Sequence, residues 1–468
     1  MAHAALLVAA GALLSYFVYS RLALYLTRRA FKKQHGCQPC VKTFNKDPFL
    51  GLDVLRSVLR HSKDRTFLEH VRQRYIDLNA RTFHNRTIAI PVIQTMEPEN
   101  IKTVLSLKFK DYSLSAREKA LTPFLGHGIF NSDGETWANS RHLLRPNFAR
   151  DQVGDLEAFE RHLTLMLKHI PKDGSTVDLQ ELFFWFTIDS ATEFLFNHST
   201  NSLRMFGQNV TDNEDVIFAK AFNEAQLDAV ERFRFGFFYP FVFNQKKSLD
   251  AISICKAYVD KWVDDAVRWR EDQDAKRAAG KEPEEERYVF IHELVKQTND
   301  KQRIRDELMN VLLAGRDTTA SLLSNMFFEI AKQPHIWQKL RDELSSLDGR
   351  LPSYEELRNL KYLKWCLNEC EFQVLFTKSQ EYCTLTTLAL RLHPVVPGNA
   401  RYAVRDTILP IGGGPDESAP LFVPKGTLVT YNPYAMHRRK DLFGPDADVF
   451  RPERWETLRP GWEYLVCS

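Results

Sequence analysis

Cysteine is scarce and scattered in this chain of 468 residues. The seven are Cys37, Cys40, Cys255, Cys366, Cys370, Cys383 and Cys467, too dispersed for a disulfide framework and suited to a reducing compartment. Cys37-x-x-Cys40 has the spacing of a redox or zinc pair, but no second pair and no preceding strand accompany it, so chance spacing is the better reading. No charge of one sign dominates: 63 basic residues face 60 acidic ones. No basic stripe with interleaved aromatics is present, which excludes a nucleic-acid binder. Internal repeats are missing, which excludes a solenoid. The triplet Gly412-Gly413-Gly414 is followed by no Lys-Ser/Thr, so it is read as a turn between short strands and not a phosphate loop.

There is one long apolar run, at the N-terminus. Ala4 to Tyr19 and Leu22 to Leu26 together give about 23 residues, enough to span a hydrocarbon core of ~30 Å. Arg28, Arg29, Lys32 and Lys33 follow, and positive charge after the span places the rest of the chain in the cytosol. A cleaved signal peptide is the rival reading, but Met1-Ala2-His3 offers no basic start. The expected organisation is an anchor over 1–27, a basic hinge linker over 28–48 and a catalytic domain over 49–468. The 33 phenylalanines and 44% hydrophobic content suit a large buried core. Helical periodicity covers Pro98 to Leu107, Glu135 to Phe148, Val153 to Ile170, Gln180 to Phe196, Val216 to Val230 and Leu249 to Ala279. Thr87 to Gln94 reads as one strand, and short strands return after Leu409. The fold class is mostly α, about a dozen helices with small β-sheets.

Ile304 to Lys332 reads as a long helix with poor helix formers at its centre: Ala314-Gly315-Arg316-Asp317-Thr318-Thr319. A mid-helix Gly costs about 1 kcal/mol relative to Ala, and Asp and Thr compete for backbone hydrogen bonds. The plain reading is a kinked core helix; the functional one is a site where local rules are broken. Four other segments bear on the choice. Trp137-x-x-x-Arg141 puts an indole and a guanidinium on one helix face. Leu390-Arg391-Leu392-His393-Pro394 is a helix end closed by Pro. Tyr431-Asn432-Pro433-Tyr434-Ala435-Met436-His437-Arg438-Arg439 and Phe450-Arg451-Pro452-Glu453-Arg454-Trp455 complete the set.

In this order the five segments resemble the cytochrome P-450 haem-thiolate monooxygenases, over nearly the whole chain. Leu409 to Asp416, Val423-Pro424-Lys425-Gly426 and Ala435 to Asp441 make it most similar to the fungal branch that hydroxylates n-alkanes and fatty acids. The resemblance implies haem b, O2 and electrons from an NADPH-cytochrome reductase, with the anchor in the endoplasmic reticulum membrane. It also implies membrane lipid as a partner and a long-chain hydrophobic substrate. It implies that Thr318 and Asp317 serve oxygen activation and proton delivery, while Ala314 and Gly315 leave room beside the iron. Trp137, Arg141 and Arg401 would hold the haem propionates. Glu369, Arg391 and Arg454 would form a buried structural cluster, and Arg141, Arg145 and Arg439 are candidates for docking the reductase.

Two departures qualify this. The family's Phe-x-x-Gly-x-Arg-x-Cys-x-Gly loop, whose cysteine thiolate is the axial iron ligand, has no match; Cys467 lacks Phe, Gly and Arg at the required offsets. No metal ligand is assigned, and the chain is expected to break off before that loop. The family's Glu-x-x-Arg helix is also interrupted: Leu388 stands three residues before Arg391, and Glu369 lies far upstream. Removing Glu371 to Ala389 restores Glu369-Cys370-Leu390-Arg391. An unspliced intron at both places explains the two departures together; a genuine surface insertion is the alternative for 371–389. The competing functional reading is an inactive protein without haem.

Overall fold

The computed structural model describes residues 2–114, 116–148, 156–208, 212–236, 239–280, 288–370, 391–459 and 461. The segment 371–389, Leu390, Cys383 and Cys467 lie outside the described residues. The chain divides into two compact units, one of residues 1–113 with 397–444, the other of 114–396 with 445–460. The described residues form a mostly helical fold with eighteen α-helical segments. The excess over a dozen consists of one-turn pieces such as Pro433–Met436 and Lys440–Phe443.

The first unit opens with helix α1, Ala2–Gln34, whose stretch from Leu6 is long and apolar enough to cross a membrane and has none of that window buried. Seven strands follow: β1 Thr82–Thr87, β2 Ile90–Thr95, β3 Tyr112–Ser113, β4 Asn399–Ala403, β5 Thr407–Gly413, β6 Ala419–Val423 and β7 Leu428–Tyr431. They make a five-stranded sheet of order β1-β2-β7-β4-β3 and a separate β5-β6 hairpin. The single strand expected over Thr87 to Gln94 is the corner of the β1–β2 hairpin. Its turn residues Ile88 and Ala89 both take positive φ, which neither residue type announces. The Gly triplet is not a free turn either: Gly412 and Gly413 end β5, and Gly414 pairs with Cys40. The hinge expected within 28–48 is likewise corrected. Helical structure runs to Gln34, and Gln38, Cys40 and Thr43 pair with Leu421, Gly414 and His84.

The second unit is built on α2 Gly134–Leu144, α3 Leu179–Phe196, α4 Glu214–Phe235, α5 Lys246–Ala278, α6 Phe290–Gln297, α7 Lys301–Lys332 and α8 Lys361–Cys370. Caps set their starts: Asp178, Asn213 and Asp300 accept hydrogen bonds from Glu181, Val216 and Arg303 N–H at 3.1, 3.1 and 3.0 Å. Asn197, in the left-handed conformation, closes α3. The core of this unit joins Phe218 and Phe222 of α4 to Cys255, Tyr258 and Val259 of α5 and Ile304, Leu308 and Leu312 of α7. Helix α7 runs unbroken from Lys301 to Lys332, through Gly315. Burial on several sides outweighs the local propensity cost.

Candidate active site

The middle of α7 lines a cavity of about 310 Å3. Ala314, Gly315, Thr318 and Thr319 form one wall; Thr187, Ser190 and Ala191 of α3 face it, with Phe130, Phe186 and Phe194 among the aromatics that close it. Its hydroxyls are largely spent on their own helices. Thr318 Oγ1 donates to Ala314 O at 2.6 Å, Ser190 Oγ to Phe186 O at 2.8 Å and Thr187 Oγ1 to Phe184 O at 3.3 Å. What the cavity presents is therefore hydrocarbon with few free polar groups. A Cβ added at Gly315 would meet only the Ala191 Cβ, at 3.8 Å.

Asp317 does not join that wall. Its carboxylate turns to Arg316, whose Nη1 donates to Oδ1 at 3.0 Å. The Arg316 guanidinium is buried between the rings of Phe184 and Phe222, 5.1 and 5.6 Å away, and reaches Asn223 Oδ1 at 2.5 Å and Gln226 Oε1 at 3.4 Å on α4. Burial raises the Asp317 carboxyl above the ordinary carboxylate value, with Arg316 opposing the shift. Asp317 Oδ2 is buried and has no hydrogen-bond partner among the described residues. The part played by Arg316 is not visible in the motif, since its partners lie about ninety residues earlier in the chain.

Trp137 and Arg141 do share one face of α2, the guanidinium standing 5.5 Å from the indole. Arg401 lies in the first unit, on β4, where Nη1 donates to Asn399 Oδ1 and Ala400 O at 3.0 and 2.8 Å. Of the reductase candidates, Arg145 is exposed. Arg439 is buried and held by Glu97 at 3.0 Å and Asp441 at 2.7 Å, so it is a structural ion pair and not a docking cation.

The structural cluster forms in spite of the interrupted sequence. Glu369, fully buried on α8, accepts from Arg391 Nε at 2.9 Å and Nη2 at 2.5 Å, Arg454 Nε at 2.8 Å, Trp455 Nε1 at 2.9 Å and Arg451 N at 2.9 Å. Arg391 and Arg454 spend further donors on the carbonyls of Ala447, Val449 and Asp446. Arg391 is not on a helix end as expected but in a bend directly after the undescribed segment. An ion pair needs its partners adjacent in space only, so the doubt raised by the interruption is removed for these three residues. Arg451 and Trp455 belong to a segment singled out by sequence, yet their contacts with Glu369 were not foreseeable from it.

Haem, which the resemblance implies, can be tested against these residues. The apolar cavity and the bare Ala314–Gly315 face suit a flat apolar group or its substrate. The axial thiolate is not placed among the described residues. Burial raises the thiols of Cys37, Cys40, Cys255 and Cys366, that of Cys255 to about 12, which disfavours the thiolate at each. No group of three or more metal-binding side chains occurs among the described residues.

Comparison with known proteins places these features. The Cytochrome P450 family profile matches residues 65–370 and 389–459. The match leaves out 371–388, one residue short of the segment whose removal restores Glu-x-x-Arg. The match runs to residue 459, and the expected break before the ligand loop is not borne out by it. The chain is 43% identical over 457 residues to cytochrome P450 monooxygenase fsdH of Fusarium heterosporum, covering 96% of this chain and 76% of that protein. Cytochrome P450 monooxygenase himC of Aspergillus japonicus is 45% identical over 451 residues, 95% of this chain and 76% of the relative. Cytochrome P450 52A12 of Debaryomyces hansenii is 38% identical over 474 residues, 97% and 85%. With its long central helix, its buried Glu-Arg-Arg cluster and these relatives, the chain belongs to the cytochrome P450 family of monooxygenases, which implies haem iron and electrons from a redox partner.

Proposed function

We propose that this chain hydroxylates a long-chain alkyl substrate, an n-alkane or fatty acid, in a membrane of the endoplasmic reticulum, with the catalytic body in the cytosol and electrons drawn from an NADPH-dependent reductase. The observation that carries the reading is the cavity: its walls are aromatic and aliphatic, and three of its hydroxyls are turned back onto their own helices. A hydrocarbon segment, an alkane or the alkyl end of a fatty acid whose carboxylate stays outside, loses nothing by entering such a space, whereas a sugar would leave its polar atoms unpaired. The apolar length of α1 and the cations that follow it support the anchor and its orientation.

Haem, when bound, would supply oxygen activation, in which two electrons from the reductase and two protons let one atom of O2 enter a C–H bond while the other leaves as water. The chain's own residues do the rest. Ala314 and Gly315 keep that face free of bulk. Thr318 commits its proton to Ala314 O, so toward the cavity its oxygen is an acceptor. Asp317, raised by burial, is suited to taking up a proton at Oδ2 and passing it on. Trp137 and Arg141 would supply donors for carboxylates at the edge of the group. The interval 371–389 is read as an interruption from a retained intron; the gap in the family match and the intact Glu369–Arg391 pair support it.

A second reading, a hydrophobic substrate other than an alkyl chain, fits the same apolar cavity. Membranes containing the chain and a reductase, offered n-alkanes, fatty acids and a polycyclic hydrophobe with NADPH, decide between them. Hydroxylated alkyl product supports the first reading. A reduced-CO spectrum of a haem thiolate without alkyl product overturns it; no such spectrum favours the inactive, haem-free protein. Sequencing the spliced transcript tests the interruption: a message that retains the codons for 371–389 removes that reading.

A further inference from the structure

In the first unit, the segment after α1 is built into the β5–β6 hairpin. Gln38 N donates to Pro420 O at 2.9 Å and Gly414 N to Pro39 O at 3.0 Å, in parallel register with Leu421 and Gly414. The Gly triplet makes this possible. A Cβ at Gly413 would stand 2.6 Å from Pro420 O and 2.7 Å from Gln38 O, so only glycine admits the third segment.

The helix itself is fixed just before. Arg28 makes a two-point contact with Asp406, Nε to Oδ2 and Nη2 to Oδ1, both at 2.9 Å. Asp406 also accepts from Lys425 N at 2.7 Å. Burial works against the Asp406 charge, but Arg28 and the Lys425 N–H overcome it and hold the carboxyl below its ordinary value. Phe31 packs 5.6 Å from the Phe422 ring, and the Lys32 ammonium sits 4.9 Å over the same ring. Positions 28, 31 and 32 follow helical spacing, so one face of the last two turns is engaged. The apolar stretch ends at Leu26, and Arg28 lies two residues on, about 3 Å along the axis.

We propose that α1 is a rigid strut and not a tether: its end is locked to the β5–β6 hairpin by Arg28–Asp406, by Phe422 and by the Gln38–Cys40 segment, so that the hairpin is held at the surface of the bilayer the helix crosses. The proposal rests on the reading that α1 spans the membrane. Cosedimentation with vesicles tests that reading separately, and loss of cosedimentation in the wild type would overturn it and not the lock.

The test uses the full chain in phosphatidylcholine vesicles with a minority of phosphatidylserine. Trypsin needs this turn to open locally before it cleaves after Arg28, Arg29, Lys32 or Lys33, and cleavage releases the body into the supernatant, where mass spectrometry of the new N-terminus separates these cuts from cuts at other basic residues. The wild type is released slowly. Asp406→Arg and Gly413→Val are each released about tenfold faster, a factor that follows the population of the open form. The reversed pair, Arg28→Asp with Asp406→Arg, returns to within about threefold of wild type. Hydrogen exchange of the wild-type amides 28–40 gives a reading that needs no variant: protection equal to that of β5 and β6 is expected. Equal release from all variants, or amides 28–40 exchanging like a free helix, overturns the proposal.

Discussion

Two acids in the second unit, Glu369 fully buried and Asp317 partly so, are treated in opposite ways. Glu369 accepts five hydrogen bonds from two arginines, an indole and a backbone N–H, and its arginines satisfy their other donors on carbonyls. Asp317 has one arginine on one oxygen, and its other oxygen has no partner among the described residues. A buried carboxylate with every lone pair engaged has no capacity left for chemistry and is costly to disturb. One left short keeps an atom that can take a proton. The contrast separates a charge that holds the fold from one that lies off the cavity wall with an oxygen to spare.

Removing one cation from the Glu369 cluster has the largest expected effect. Arg391→Met leaves a buried carboxylate short of two donors and strips carbonyls of theirs, so stability falls by about 3–5 kcal/mol. Urea unfolding of the full chain in detergent, followed by tryptophan fluorescence, reads it. Next comes the pH dependence of Asp317. Its folded value is raised above the unfolded one of about 3.9, so its favourable contribution is present below that pH and is lost as pH rises through the folded value. Asp317→Asn abolishes that loss, and the stability of the variant relative to wild type therefore climbs from pH 4 toward neutrality. A flat difference across that range would remove Asp317 from the contrast. Thr318→Val deletes one hydrogen bond to the backbone of its own helix and lowers stability by only about 0.5–1.5 kcal/mol. Its hydroxylation rate should fall far more than this structural cost, as product analysis with reductase and NADPH would show. Smallest is Gly315→Ala: the new methyl has ordinary contact with Ala191, so the unfolding midpoint is unchanged or slightly higher.

Much of this was legible in the sequence because it is local. The bounds of α7, the face shared by Trp137 and Arg141 and the apolar length of α1 all follow from periodicity within one element. What was not legible depends on distant partners. Asp317 turns from the cavity because Asn223 and Gln226 on α4 hold Arg316 beside it. The supposed hinge is pinned because Gly413, some 375 residues later, admits the backbone of Gln38. Arg439 has the look of a surface cation in a run of cations, yet Glu97 and Asp441 bury it. The Glu369–Arg391 pair closes across an interval that breaks its sequence motif, a reminder that spacing is a proxy for proximity.

The difference between the two acids can be measured directly by replacing each with its neutral isostere. Urea unfolding of Glu369→Gln and Asp317→Asn at neutral pH, side by side with wild type, requires no substrate. The account predicts a loss of about 3–5 kcal/mol for Glu369→Gln, which strands two buried arginines, and a smaller loss for Asp317→Asn, which strands only Arg316, a guanidinium that keeps the neutral partners Asn223 and Gln226. Equal losses, or a larger loss at Asp317, would contradict it.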